Sequence, residues 1–216
     1  MKQTPEIKKW SRIILQIGVL AGGVVLMAVA ASIPFLFESP SLYYKMGMDK
    51  IFLRTGKVMG PIGALLMFSQ ALHISRFQFL ENLFSLKGLY RFHRISGKLI
   101  AVLVILHPFF IMAAENFTFF PFEKRYWPEF VGMGLVLLIL GVVIISVWQS
   151  GLGISRNTWQ GLHRWLTPVI VLFLFVHILF VSESFSTGWP RAGLFLVGGG
   201  AVLLFLRIYH RRFFKR

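Results

Sequence analysis

The stretch Arg91-Phe-His93-Arg-Ile-Ser-Gly97-Lys-Leu-Ile-Ala-Val-Leu-Val-Ile-Leu-His107-Pro108 sets two histidines fourteen residues apart in an apolar run, and its reading decides the fold. A second stretch repeats the spacing: His163-Arg164-Trp165, an apolar run, then His177. On an α-helix fourteen residues turn through about 1400°, about 40° short of four full turns, and rise about 21 Å. Both histidines of a pair therefore share a helix face, one towards each side of a ~30 Å hydrocarbon layer. Imidazole is a common axial ligand of haem iron. Two helices with matched pairs can hold two stacked haems, a wire across a membrane.

Composition points the same way. Of the 216 residues 56% are hydrophobic, the mean hydropathy is +0.71 and there is no cysteine. Soluble domains stay nearer ~45–50% apolar, and apolar runs of about 20 residues span membranes. Without cysteine there are no disulfides, Cys-ligated iron–sulfur clusters, thiolate-ligated or covalent c-type haem, or zinc–cysteine sites. Six histidines remain as the strong axial ligands, with eight methionines as weaker ones. The formal charge of +15 raises nucleic acid as a partner. The basic residues instead cluster at the ends of apolar runs, and no basic stripe interleaves with exposed aromatics. Nucleic acid is set aside.

The expected fold class is all-α: a polytopic membrane protein with a six-transmembrane-helix bundle, forming one domain over residues 1–216. The helices are predicted at about 13–37, 54–74, 93–114, 130–148, 162–181 and 191–209. Ala28-Val-Ala30-Ala31 mimics a signal-peptidase site, but the apolar run continues past it and reads as a retained first helix. Gly22-Gly23 is predicted to allow close helix approach, and Gly60-Pro61 and Pro168 to bend their helices gently. Gly198-Gly199-Gly200 should loosen the sixth helix. Ser75 to Phe92, basic at Arg76, Lys87 and Arg91, is predicted to lie along the membrane surface. Asn116-Phe-Thr118 is a glycosylation sequon, meaningful in a eukaryotic secretory context.

Charge sets the orientation. The N-terminus, the 75–92 and 150–162 segments and the basic tail, with the adjoining helix ends, hold 15 Lys/Arg against two acids, Glu6 and Glu81. The opposite loops hold seven Lys/Arg and six acids. The bias puts both termini in the cytoplasm. Helices three and five then run from inside to outside, so their first histidines share the inner depth and their second histidines the outer depth.

Ionisable groups at membrane depth are functional by default, and four histidines at one spacing outweigh four separate interhelical hydrogen bonds. His73 and His210 lack a partner at that spacing and read as interfacial groups within reach of haem propionates. Gly97, one turn after His93, either lets a porphyrin face approach or packs against another helix. Arg91, Arg94 and Arg164 suit propionate carboxylates, although inside-facing positive charge explains them equally. Gly151-Leu-Gly153 lacks the third glycine of a dinucleotide fingerprint.

At these stretches the chain resembles the ferric reductase-like transmembrane domain of ferric reductases and NADPH oxidases. The resemblance rests on Phe92-His93-Arg94, Gly97, His107-Pro108 and Trp159-Gln-Gly-Leu-His163-Arg164 leading to His177. It covers nearly the whole chain in helix order and loop lengths. It implies that His93 and His163 are the iron ligands of an inner haem b, and His107 and His177 of an outer one. It implies an oxidoreductase component that carries electrons from a cytoplasmic flavin-type donor to ferric iron, oxygen or a partner reductase outside. Many members carry flavin and nicotinamide domains after helix six. Here the sequence ends there, so the expected donor is a separate soluble flavin reductase supplying FAD or FMN, or a quinol. Stand-alone relatives include the haem subunit of periplasmic methionine sulfoxide reductase, and the expected location is a bacterial inner membrane.

Two other readings stand beside this one. A quinol-oxidising cytochrome b-like carrier uses similar spacing, but its second pair falls on helix four rather than five. A metal-binding transporter or assembly factor would bring carboxylates into the membrane, and the six apolar runs hold almost none.

Overall fold

The computed structural model describes residues 5–118 and 121–214, and of residues 5–8 and 212–214 the backbone alone. The described chain is helical: α1 Pro5–Leu36, α2 Pro40–Tyr43, α3 Gly47–Ile74, α4 Gln78–Phe84, α5 Leu86–Ala114, α6 Trp127–Trp148, α7 Arg156–Val181 and α8 Gly188–Phe214. Among the described residues α1, α3, α5, α6, α7 and α8 are long and apolar enough to cross a membrane. A helix is the natural form for such runs, because it satisfies every backbone polar group internally where no water can. The chain is an integral, multi-pass, all-α membrane protein.

The helices outrun their hydrophobic stretches. α3 starts at Gly47 rather than near Arg54, and α7 at Arg156 rather than near Leu162. Hydropathy marks the lipid-soaked middle of a helix, whereas the polar first turns are set by caps; Ser155 accepts from Thr158 N at 3.2 Å and starts α7. The 75–92 segment differs more from its prediction. It is not one surface helix: α4 ends at Phe84, Ser85 turns at φ +62°, and α5 already runs from Leu86. Lys87 and Arg91 therefore stand on the first turns of a spanning helix. The prolines at 61, 108 and 168 lie inside continuous helices.

α3 is the hub. Its broadest interface is with α5; it also packs on α1, α8 and α7, while α6 and α7 form the second close pair. One buried cluster joins Ala64 and Phe68 of α3 to Ile33, Val171, Leu194 and Ala201. A second gathers Leu66, Ile100, Leu135, Ile139 and Ile170 from α3, α5, α6 and α7. Between α3 and α5, Gln70 Nε2 donates to Ser96 Oγ at 2.7 Å, a buried polar pair that fixes the rotation of the two helices. The Gly22-Gly23 expectation fails: a Cβ at either position would meet nothing within 4 Å, so no helix approaches there. Of the glycine triplet, Gly198 alone is filled, by the Phe175 ring.

Polar contacts bind each face of the bundle. On the terminal face Arg12 Nε and Gln16 Nε2 both donate to Leu83 O, at 3.1 and 2.6 Å, Tyr209 Oη donates to Arg164 O at 2.8 Å, and Arg211 donates to Arg76 O at 3.1 Å. On the far face Arg54 meets Glu38 at 2.5 Å, and Lys45 meets Glu115 at 2.9 Å. Lys57 bonds Ser39 and Ser41 and lies 3.6 Å from Glu183. The basic side chains of Arg212, Lys215 and Arg216 fall outside the described residues.

Candidate functional site

The capped start of α5 places His93 two turns inside the helix on the terminal side, and α7 places His163 at the matching position. Their rings face each other across the bundle, with centroids 6.2 Å apart and planes at 87°. Nδ1 of each is buried without a hydrogen-bond partner. Around them, Trp159 packs 5.3 Å from the His163 ring, and His73 lies 4.7 Å from Phe92. Nδ1 of His73 is likewise buried and unpaired.

The far-side histidines are held differently. His107 Nδ1 is 2.8 Å from Gly56 O on α3, and His177 Nδ1 is 2.9 Å from Pro128 O on α6. A carbonyl accepts only, so each Nδ1 carries the proton and Nε2 is left with the lone pair. Each ring also lies over a glycine of the same neighbouring helix. A Cβ at Gly60 would come within 3.1 Å of His107 Cε1, and one at Gly132 would overlap the His177 ring. In both cases the accepting carbonyl stands four residues before the glycine, one turn along the same helix face. α3 and α6 thus seat the two far histidines by the same device.

These residues fit an axially ligated haem. An imidazole nitrogen sits about 2 Å from a first-row metal, which puts the ring centre about 3 Å away and two opposed ring centres about 6 Å apart. The 6.2 Å between His93 and His163 meets that requirement. For His107 and His177 the fit lies in the tautomer: ligating histidines characteristically donate their other N–H to a carbonyl, which fixes the ring and raises its basicity. Among the described residues no three His, Asp or Glu side chains converge as a metal-ion cage, whereas an axial pair needs only two.

The remaining predicted residues divide. Gly97 contacts no other helix: a Cβ there would meet nothing within 4 Å, which removes the packing explanation and leaves room beside His93. Arg94 is exposed on the terminal side, and the Arg164 backbone is tied to Tyr209. His210 is exposed near the end of α8, whereas His73 packs on Phe92, next to His93 in sequence. Between the pairs lie Ile100 and Ile170, each seven residues from both histidines of its helix and only 2% and 4% exposed. Leu66, Leu135 and Ile139 close around them, so the partition between the two sites is aliphatic.

Sequence reading missed Gly56, Gly60, Pro128 and Gly132 as parts of the site. A signal existed for α3, since Gly56 and Gly60 form a small-xxx-small pair. For Gly132 no spacing pointed to His177, which lies 45 residues away.

Comparison with known families matches residues 59–174, more than half of the chain, to the ferric reductase like transmembrane component. The matched span holds His73, His93, His107 and His163 and ends three residues before His177. Comparisons with curated proteins and with solved structures find no match.

Proposed function

Because the chain belongs to the ferric reductase like transmembrane component family, and is thereby a membrane electron-transfer component, we propose that it is a two-haem b oxidoreductase subunit that moves electrons through the bilayer. His93 and His163 would hold the iron of one haem, and His107 and His177 that of the other. Bound there, the haems supply two one-electron carriers in series. The protein's own groups hold and orient them. The Gly56 and Pro128 carbonyls fix the far imidazoles with Nε2 available. Gly97 gives the near macrocycle room, and Arg94 and Arg164 offer cations to its propionates. Both termini face the cytoplasm, so the His93–His163 site receives electrons from a soluble flavin reductase carrying FAD or FMN. The His107–His177 site delivers them to ferric iron, oxygen or a partner reductase on the outer face. A bacterial inner membrane suits this arrangement.

The observation that carries this reading is the 6.2 Å separation of the His93 and His163 rings, with Nδ1 of both unpaired. The test is a reduced-minus-oxidised spectrum of the purified protein with haem quantified per chain. About two bis-histidine haems are expected; a ratio near zero in folded protein overturns the reading. His93→Ala and His163→Ala should remove one spectral component, and His107→Ala and His177→Ala the other. Loss of different components within a pair would refute the pairing.

A further inference from the structure

A groove opens between α1, α3 and α8 on the terminal half of the bundle, away from the histidines of the proposed haem pairs. It has a volume of about 540 Å³ and is walled by Leu26 of α1, Leu65, Phe68 and Leu72 of α3, and Val197 and Leu204 of α8. That volume lies in the ~300–1,000 Å³ range of ligand sites. Along α8 the lining runs from Val197 to Arg207, ten residues or about 15 Å, which is half of a ~30 Å hydrocarbon layer. The groove is as deep as one leaflet. Its floor is continuous because Gly200 of α8 presents no side chain and nothing lies within 4 Å of where one would start.

The polar end of the groove is unfinished. Arg207 lies inside the spanning part of α8, its guanidinium 4.3 Å over the Phe77 ring, and its Nε is buried with no acceptor. A cation at membrane depth is costly unless it is paired, and a buried N–H without an acceptor adds to that cost. Nearby on the same face stand Arg211 and Arg76, linked through the Arg76 carbonyl, so the rim is basic. An apolar slot one leaflet long, ending at an arginine with no anion beside it among the described residues, matches one kind of molecule. We propose that the groove binds an anionic phospholipid of the leaflet on the terminal side, one acyl chain along α3 between α1 and α8 and its phosphate on Arg207. The proposal is independent of haem binding.

The test is native mass spectrometry of the full-length protein released from membranes containing equal phosphatidylglycerol and phosphatidylcholine. Both lipids carry the phosphodiester, but the choline cation of phosphatidylcholine neutralises it and meets the basic rim, so wild type should retain phosphatidylglycerol several-fold over phosphatidylcholine. Arg207→Gln should abolish that preference, whereas Arg191→Gln, at the other end of α8, should leave it intact. Gly200→Leu, which has space for its side chain, should reduce retention of both lipids by filling the slot. Equal retention of the two lipids by wild type overturns the proposal without recourse to any variant. So does recovery of a quinone in place of phospholipid, or an unchanged preference in folded Arg207→Gln.

Discussion

At Gly132 the absence of one methyl group decides whether His177 has a place to lie. A Cβ there would overlap the ring, while one at Gly134, two residues on, would meet nothing within 4 Å. Gly132→Ala should therefore shift the His177 ring and disturb its bond to the Pro128 carbonyl, and disturbed outer contacts of a metal-bound histidine cost about 10–100-fold in affinity. Haem titration of the purified variant should show the far-side haem weakened by that factor and the near-side haem unchanged. Gly134→Ala should leave both. Gly60→Ala, with its closest approach at 3.1 Å, should weaken the far-side haem less. Equal behaviour of Gly132→Ala and Gly134→Ala would mean that the ring does not depend on the glycine seat.

At the scale of elements, Ser85 shows how α5 comes to start where it does. It sits at φ +62° between α4 and α5 and accepts from Gly88 N at 3.3 Å, so it ends one helix and caps the next. Replacing such a cap by alanine costs about 1 kcal/mol, whereas glycine costs a few tenths and tolerates positive φ. Ser85→Ala should lower the thermal midpoint of the purified protein, and Ser85→Gly should lie close to wild type; the reverse order would remove the cap from the account. This junction also explains what the sequence leaves unread. The helix number, the all-helical class and the histidine spacing are legible because apolar runs and a fourteen-residue interval are local signals. The start of α5 is not, because Ser85-Leu-Lys87 is polar enough to pass for surface. The seats of His107 and His177 are not legible either, since Gly56 and Pro128 meet them only after α3 packs on α5 and α6 on α7. Gly22-Gly23 misleads for the opposite reason: small residues permit contact without requiring it.

The molecule as a whole has a basic terminal face, and α5 contributes Lys87, Tyr90, Arg91 and Arg94 around one recess of about 650 Å³. These residues recur at helical spacing on one face, next to His93. In the proposed function an acidic flavin reductase meets this face, steered by charge and screened by salt beyond ~8–10 Å. Lys87→Gln with Arg91→Gln should slow donor-dependent reduction several-fold at low ionic strength, with dithionite reduction unchanged and the difference gone in high salt. Salt-insensitive reduction together with rapid reduction by a quinol would favour the cytochrome b-like alternative. The Ile100–Ile170 partition carries the last consequence. In the proposed function an electron would travel about 21 Å through a core of about 30 Å, and the cluster around Ile100 and Ile170 offers a proton only aliphatic side chains. Turnover is then a current. In the proposed function each electron leaving the cytoplasmic side would move with an inside-negative voltage and dissipate it, a full crossing at 100 mV being worth about 2.3 kcal/mol. In sealed vesicles, reduction of the outer haem should quicken as the interior is made negative, and outward electron flow without a compensating ion should stall as the voltage reverses.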